Sequence, residues 1–244
     1  MPLKNRLDLI LVEKDIVKSR QRGQALIMAG KVFVNNQPVD KPGTLISEND
    51  DIIIKGADMP YVSRGGLKLK EAVQSLNINI FGFVCLDVGA STGGFTDCLL
   101  QHGAKCVYAV DVGYGQLAWK LRQDPRVVVI ERTNIRYMPA EMIPVPVDLI
   151  TIDVSFISLK IVVPSVLKFL KKNGRILALI KPQFEVGKGK VGKKGVVRDK
   201  KMHDMVIKDL SAFFLKTGLS CESVVPSPIL GPNGNREFII SLTS

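Results

Sequence analysis

The 244 residues predict an α/β fold, a seven-stranded and mostly parallel sheet wrapped by helices, preceded by a small α+β unit. Three observations predict it. From Ser63 to the end, short apolar runs alternate with segments of helical period, which is how a sheet covered on both faces reads. Up to Gly56 the order is different, two helical stretches and then a hairpin within about 50 residues, a unit marginal alone but workable when tethered. Between them, residues 57–62 follow neither pattern and hold Met59-Pro60, where the proline disfavours helix at the residue before it, so they read as a linker.

In the first unit, residues 1–56, Leu7, Ile10 and Leu11 open one helix after Arg6. Ser19 can N-cap a second, which carries Ala25, Ile27 and Met28 and stops at Gly30. Residues 31–39 alternate around an Asn35-Asn36 turn, and Ile52–Ile54 supplies one more strand. In residues 63–244 the expected strands are 84–88, 107–111, 127–130, 149–153, 176–180, 223–225 and 238–242. The expected helices are 67–76, 95–101, 116–122, 161–171 and 203–216.

Hydrophobic residues make up 46% of the chain and charged residues 23%, which supports a packed core and excludes disorder, collagen and coiled coil as the main class. The formal charge of +11 is that of a protein that meets polyanions, nucleic acid before an anionic membrane. It is clustered. Residues 160–201 hold 13 Lys and Arg against Glu185 and Asp199, an excess equal to that of the whole chain. Four cysteines without a C-x-x-C pair or a companion histidine suggest neither zinc nor a disulfide framework, and reduced thiols in a cytoplasm account for them. The apolar run at Leu9–Val12 is too short for a signal segment, and no run is long enough to span a membrane. His102 and His203 are isolated and read as surface or helix-end residues.

After the first strand of the large unit comes Asp87-Val-Gly89-Ala90-Ser91-Thr-Gly93-Gly94-Phe95-Thr96, a glycine turn entering a helix whose N-terminal N–H groups are free for a ligand. Ser91 stands where the dinucleotide pattern needs its second glycine, so a pyrophosphate fits poorly. Asp87 closes the first strand and suits an ammonium. Asp111 closes the second strand and suits a pair of ribose hydroxyls. The set favours S-adenosylmethionine over NAD, with capping of the next turn as the plain alternative for Asp111. Further on, Asp153-Val-Ser-Phe-Ile-Ser158, Lys181-Pro-Gln-Phe-Glu185 and Asn235-Arg-Glu237-Phe238 border later strands, so Asp153 and Lys181 should reach the same crevice as Gly89.

Two resemblances follow. Arg6-Leu-Asp, Ser19-Arg20, Ala29-Gly30-Lys-Val-Phe-Val-Asn35 and Asn49-Asp50-Asp51-Ile52 resemble the S4 RNA-binding domain, which implies RNA contact through Arg6, Lys18, Arg20, Arg22 and Lys31. Residues 1–34 carry seven basic against three acidic side chains, consistent with phosphate contact. Lys68 in Ser63-Arg64-Gly-Gly-Leu-Lys68-Leu, with Asp153, Lys181 and Glu237, resembles the Lys-Asp-Lys-Glu tetrad of the FtsJ-like ribose 2'-O-methyltransferases. S4 features joined to these motifs are similar over the whole chain to the TlyA family, also called hemolysins. That resemblance implies a Rossmann-like class I methyltransferase, a ribosomal RNA substrate within ribosomal subunits, a cytidine target, no metal and a cytoplasmic monomer. It also suggests that Asn134, after the third strand, faces the adenine.

The chemistry agrees with that tetrad. Moving a sulfonium methyl to a ribose hydroxyl needs a base, and a lysine serves only if burial or a neighbouring cation brings its pKa down. Lys68 beside Lys181 would be that cation, with Asp153 and Glu237 orienting both. Amino-group methylation needs a proline-rich loop where Asp153-Val-Ser-Phe156 stands, and C5 methylation of cytosine needs a cysteine that this crevice lacks. The run Lys188-Gly-Lys190-Val-Gly-Lys193-Lys194 reads as a loop for RNA phosphates, with Arg64 a further contact. A membrane-lytic protein and an RNA-binding module with an inactive enzyme domain are the alternatives of other classes.

Overall fold

The structure is a computed structural model that describes residues 4–54, 59–187, 191–192 and 195–244. Residues 57 and 58 of the expected linker, and Lys188, Lys190, Lys193 and Lys194, lie outside the described residues. The chain divides into two compact units, Met1–Asp58 and Met59–Ser244.

In the first unit β1 (Lys4–Arg6) leads into α1 (Leu7–Glu13) and α2 (Arg20–Met28). The Ser19 hydroxyl accepts the Arg22 N–H as an N-cap, and Gly30, at φ +66°, ends α2 in the left-handed conformation that glycine takes most readily. The hairpin of β2 (Val32–Val34) and β3 (Gln37–Val39) turns at Asn35 and Asn36, both with positive φ, as a tight primed turn requires. Then β4 (Leu45–Ser47) pairs antiparallel with β1, and β5 (Ile52–Ile54) pairs antiparallel with β2. Leu7, Ile10, Leu11, Ile27 and Val32 fill the core. The β1–β4 pair was not foreseen, because Lys4-Asn5-Arg6 has no apolar alternation to mark a strand.

The second unit opens with Tyr61, which is buried, and with the Val62 N–H donating to Asp97 at 2.8 Å. There follow α3 (Gly65–Ser75), β6 (Val84–Val88), α4 (Gly94–Gln101), β7 (Cys106–Val110), α5 (Trp119–Arg122), β8 (Val127–Ile130) and β9 (Val147–Ile152). After them come α6 (Leu159–Val166), β10 (Leu170–Ile180), α7 (Pro182–Glu185), α8 (Lys200–Lys216), β11 (Ser220–Pro226) and β12 (Phe238–Thr243). The seven strands lie in the order β11-β12-β10-β9-β6-β7-β8, all neighbours parallel except that β12 runs against both β10 and β11. Alternate residues feed opposite faces: Leu86, Ile150 and Ile176 pack with Phe214 on one, Cys85, Leu149 and Leu177 with Leu69 and Leu99 on the other. The chain winds outward in one direction through β6, β7 and β8 and resumes on the other side at β9. That reversal opens a crevice at the carboxyl ends of β6 and β9.

Three expectations are corrected. The helix expected over 161–171 ends at Val166, passes through one tight turn at Leu167–Phe169 and gives way to β10, whose Leu170 pairs with Val147. Pro164 removes one of that helix's hydrogen bonds, and sheet pairing overrides the helical spacing of Leu167 and Leu170. The helix expected over 116–122 is only Trp119–Arg122, since Ala118 is extended and Gly115 is left-handed. His203 is a helix-end residue but not a surface one: it faces inward from the first turn of α8, with Nε2 at 2.8 Å from the Val197 carbonyl and its ring edge-on to Phe238.

Gly94 marks a tight contact between α4 and the start of α3, for a Cβ there would lie 2.2 Å from Ser63 Oγ and 2.9 Å from the Gly66 nitrogen. Gly94→Ala is therefore expected to push α3 from α4 and lower the unfolding free energy by about 1–3 kcal/mol, the scale of overpacking, as read by urea denaturation.

Candidate functional site

Two cavities meet at the crevice. The larger, about 610 Å³, is walled by Val88, Val112 and Ile135 and receives Asp111, Asn134 and Phe156. The smaller, about 390 Å³, receives Lys68, Lys181 and Arg64. Gly89, Ser91, Asp153 and Ser155 border both. Gly89 is held at φ +82°, and a Cβ on it would stand 2.5 Å from the Asp153 carbonyl oxygen, so β6 and β9 approach this closely only over a glycine.

Within the glycine loop, Gly89, Ala90, Ser91, Gly94 and Phe95 line the smaller cavity, whereas Gly93, Thr96 and Asp87 line neither. Gly93 is bare for the sake of protein packing, since a Cβ would meet Leu121 Cδ1 at 2.3 Å. Asp87 corrects the reading of a carboxylate facing a ligand. It is fully buried, with one oxygen taken by the Thr96 hydroxyl at 2.7 Å and the other by the Thr151 hydroxyl at 2.9 Å. Burial pushes its pKa up to about 6, with the two hydroxyls pulling the other way. Asp87 thus ties α4 to β9 beneath the loop. Asp111 ties the loop from above: its Oδ2 accepts the Ser91 N–H and its Oδ1 the Gly113 N–H, fixing Ser91 at φ +48°. Asn134 Oδ1 accepts from Arg136, and Asn134 lines the larger cavity.

At the other end the four charged residues form two pairs. Lys68, on α3, meets Glu237 Oε2 at 2.6 Å, and Lys181, after β10, meets Asp153 Oδ1 at 2.6 Å. Both lysines are buried, so each ammonium needs its carboxylate, and removing one partner of such a pair costs about 3–5 kcal/mol. Lys181 Nζ also donates to Ser155 Oγ at 2.9 Å. Glu237 Oε1 has no hydrogen-bond partner among the described residues, and Gly231 packs directly against that carboxylate.

Sequence reasoning passed over Ser155, which stands inside a motif it singled out for the aspartate. It also passed over Gly231 and over Phe156, which is 90% exposed, held at φ +64° and set against Phe184 with ring centroids 4.9 Å apart and the rings tilted. Nothing in residue type or spacing marks these three; Ser155 is marked by its bond to Lys181, Gly231 by its packing against Glu237 and Phe156 by its backbone. In the first unit Lys18 and Arg20 are exposed, and Arg6, Arg22 and Lys31 partly so. Among the described residues no group of His, Cys, Asp and Glu could hold a metal ion, and no helix is long and apolar enough to cross a membrane.

Residues 61–244 match the FtsJ-like methyltransferase family and residues 5–52 the S4 domain. A chain of Bacillus subtilis, provisionally named the rRNA methyltransferase YqxC, is 49% identical over 240 residues, 98% of this chain and 85% of that one. The 16S/23S rRNA (cytidine-2'-O)-methyltransferase TlyA of Mycobacterium tuberculosis strain H37Rv is 44% identical over 243 residues, 99% of this chain and 91% of that one. A solved structure from Streptococcus thermophilus, provisionally named a hemolysin, superposes with a TM-score of 0.78 at 42% identity, covering 100% of this chain and 89% of that one.

Folding raises the Asp87 pKa to about 6 from 3.8, so the protonated form is the one folding favours: its contribution is complete below about pH 4 and is lost as the pH rises through about 6. Asp87→Asn is expected to remove that dependence. The unfolding free energy of the variant relative to the wild type should therefore rise between pH 4 and pH 7 by an amount on the order of 3 kcal/mol, as compared by denaturation at both values.

Proposed function

The chain belongs to the FtsJ-like methyltransferase family, and we propose that it moves the methyl group of S-adenosylmethionine to the 2'-oxygen of a cytidine in ribosomal RNA, acting on ribosomal subunits in the cytoplasm as a monomer. The observation that carries this reading is the meeting of the two cavities at Gly89 and Asp153, with Lys181, paired to Asp153, and Lys68 both in the smaller one. The larger cavity fits the cofactor in kind. Its apolar walls suit a flat base, Asn134 has amide donors for the ring, Asp111 can accept ribose hydroxyls, and its volume is that of an ordinary ligand site. When bound, S-adenosylmethionine supplies an electrophilic methyl on a sulfonium.

The chain's own residues would do the rest. The smaller cavity admits one ribose, and Lys181 Nζ orients its 2'-hydroxyl. Lys181, once its ammonium has given a proton to solvent, takes the hydroxyl proton as the oxygen–carbon bond forms and the methyl–sulfur bond breaks, and so returns to the ammonium. Asp153 Oδ1 and Ser155 Oγ, at 2.6 and 2.9 Å, hold that ammonium, so their contacts strengthen along the reaction. Glu237 keeps the Lys68 cation in place in the same cavity. The S4 domain supplies RNA contact through Arg6, Lys18, Arg20, Arg22 and Lys31, with Arg64, Lys188, Lys190, Lys193 and Lys194 adding phosphate contacts.

Incubation with labelled S-adenosylmethionine and unmodified ribosomal subunits is expected to place label in an alkali-resistant dinucleotide, because a blocked 2'-oxygen cannot attack the adjacent phosphate. Label confined to base-methylated mononucleotides, or none at all in RNA, as a membrane-lytic protein would leave, overturns the reading. Lys181→Ala is expected to slow single-turnover methylation by at least about a hundredfold while cofactor affinity measured by calorimetry changes little.

A further inference from the structure

We propose that the buried carboxylate of Asp8 builds Arg6 and Arg20 into one preformed phosphate clamp, so that an acidic residue strengthens RNA binding by the first unit. The inference rests on the reading that this unit holds RNA. Asp8 has no exposed side-chain surface, yet it touches two arginines that are 42% and 51% exposed. Its Oδ1 accepts from Arg6 Nε at 2.9 Å, and its Oδ2 from Arg6 Nη2 at 3.1 Å, Arg20 Nε at 2.9 Å and Gln24 Nε2 at 2.8 Å. With three donors on Oδ2, one on Oδ1 and no exposed side-chain surface, Asp8 presents no oxygen to an incoming phosphate.

The arginines come from different elements. Arg6 closes β1 and Arg20 opens α2. Each gives its inner edge to Asp8, and the rest of both forks has no partner among the described residues. Gly43 fixes Arg6 from the other side, for a Cβ there would lie 3.1 Å from Nη1. The backbone closes the frame: Leu7 N–H donates to the Thr44 carbonyl and Asp8 N–H to the Pro42 carbonyl. Two guanidinium groups anchored on one carboxylate stand close enough to meet one phosphate or two neighbours on a strand. Held in place beforehand, they bind without the loss of side-chain freedom that free arginines undergo.

A charge-only account gives the opposite sign. Asp8→Asn makes the unit one charge more positive, which by counterion release alone should tighten RNA binding. The clamp requires it to weaken. Binding of the full chain to fluorescently labelled ribosomal RNA, measured across a salt series, is expected to fall about tenfold for Asp8→Asn, with a shallower salt dependence. Arg6→Lys and Arg20→Lys keep the charge and leave Asp8 paired but lose the fork, and each is expected to weaken binding similarly. In an Arg6→Ala, Arg20→Ala background, Asp8→Asn should have no further effect on affinity, whereas a merely structural role would still lower it. If Asp8→Asn does not fold, the two lysine variants decide, and wild-type affinity in both overturns the clamp. Tighter or unchanged binding by Asp8→Asn, with weaker binding by Arg20→Ala, overturns the clamp and leaves RNA contact by this unit standing. Affinity insensitive to Arg6→Ala and Arg20→Ala alike overturns both.

Discussion

A buried ammonium persists only beside a carboxylate, and that constraint organises the second unit. Lys68 comes from its first helix and Glu237 from the residue just before its last strand, 169 residues apart, yet the two meet at 2.6 Å. Desolvating either charge alone would cost several kcal/mol, roughly the margin by which a domain is stable. The pair therefore holds α3 against the antiparallel end of the sheet, while the Lys181–Asp153 pair joins the ends of β10 and β9. Both pairs draw the carboxyl ends of the strands toward the small cavity. The charges that would do the chemistry also fix where the walls of the site stand.

Beneath them, glycine and aspartate do different work from what their motif suggests. Of the three glycines in the turn after β6, two are bare because protein atoms crowd them: Gly93 against Leu121, Gly94 against Ser63 and the Gly66 backbone. Gly89 is bare because the Asp153 carbonyl passes over it. A ligand profits from this crowding without causing it, since the packing is what holds the loop's N–H groups in one arrangement. Asp87 and Asp111 clamp that loop from below and above through Thr96, Thr151 and the Ser91 N–H. Ser91 keeps its left-handed backbone because the Asp111 hydrogen bond offsets a strain of about 1–2 kcal/mol.

The alternation of apolar runs and helical segments was enough to place every strand of the large sheet, because strands buried on both faces leave continuous apolar stretches. It failed where a local signal contradicted the tertiary one. Leu167 and Leu170 have helical spacing but serve a turn and a strand, and Lys4-Asn5-Arg6 pairs with β4 through its backbone alone. At the site, residue type exposed the charged groups, since a lysine or an aspartate beside a strand end has few structural excuses. It could not show which lysine takes which carboxylate. Nor could it show that Asp87 faces inward, that Ser155 holds Lys181 or that Phe156 stands exposed on a strained backbone, because these depend on φ and on side-chain direction.

The same physics takes opposite forms in the two units. Around Lys68 and Lys181, carboxylates are spent one to each cation, and the cations end inside the smaller cavity. Around Asp8, one carboxylate serves two cations whose outer edges remain in solvent. A surface arginine pair gains little from a lone ion pair in water, but a fully buried anion anchors both forks and leaves their remaining donors aimed outward. Affinity for a long polyanion comes from many such weak, ordered contacts, and reaction at one oxygen comes from a few strong, dry ones.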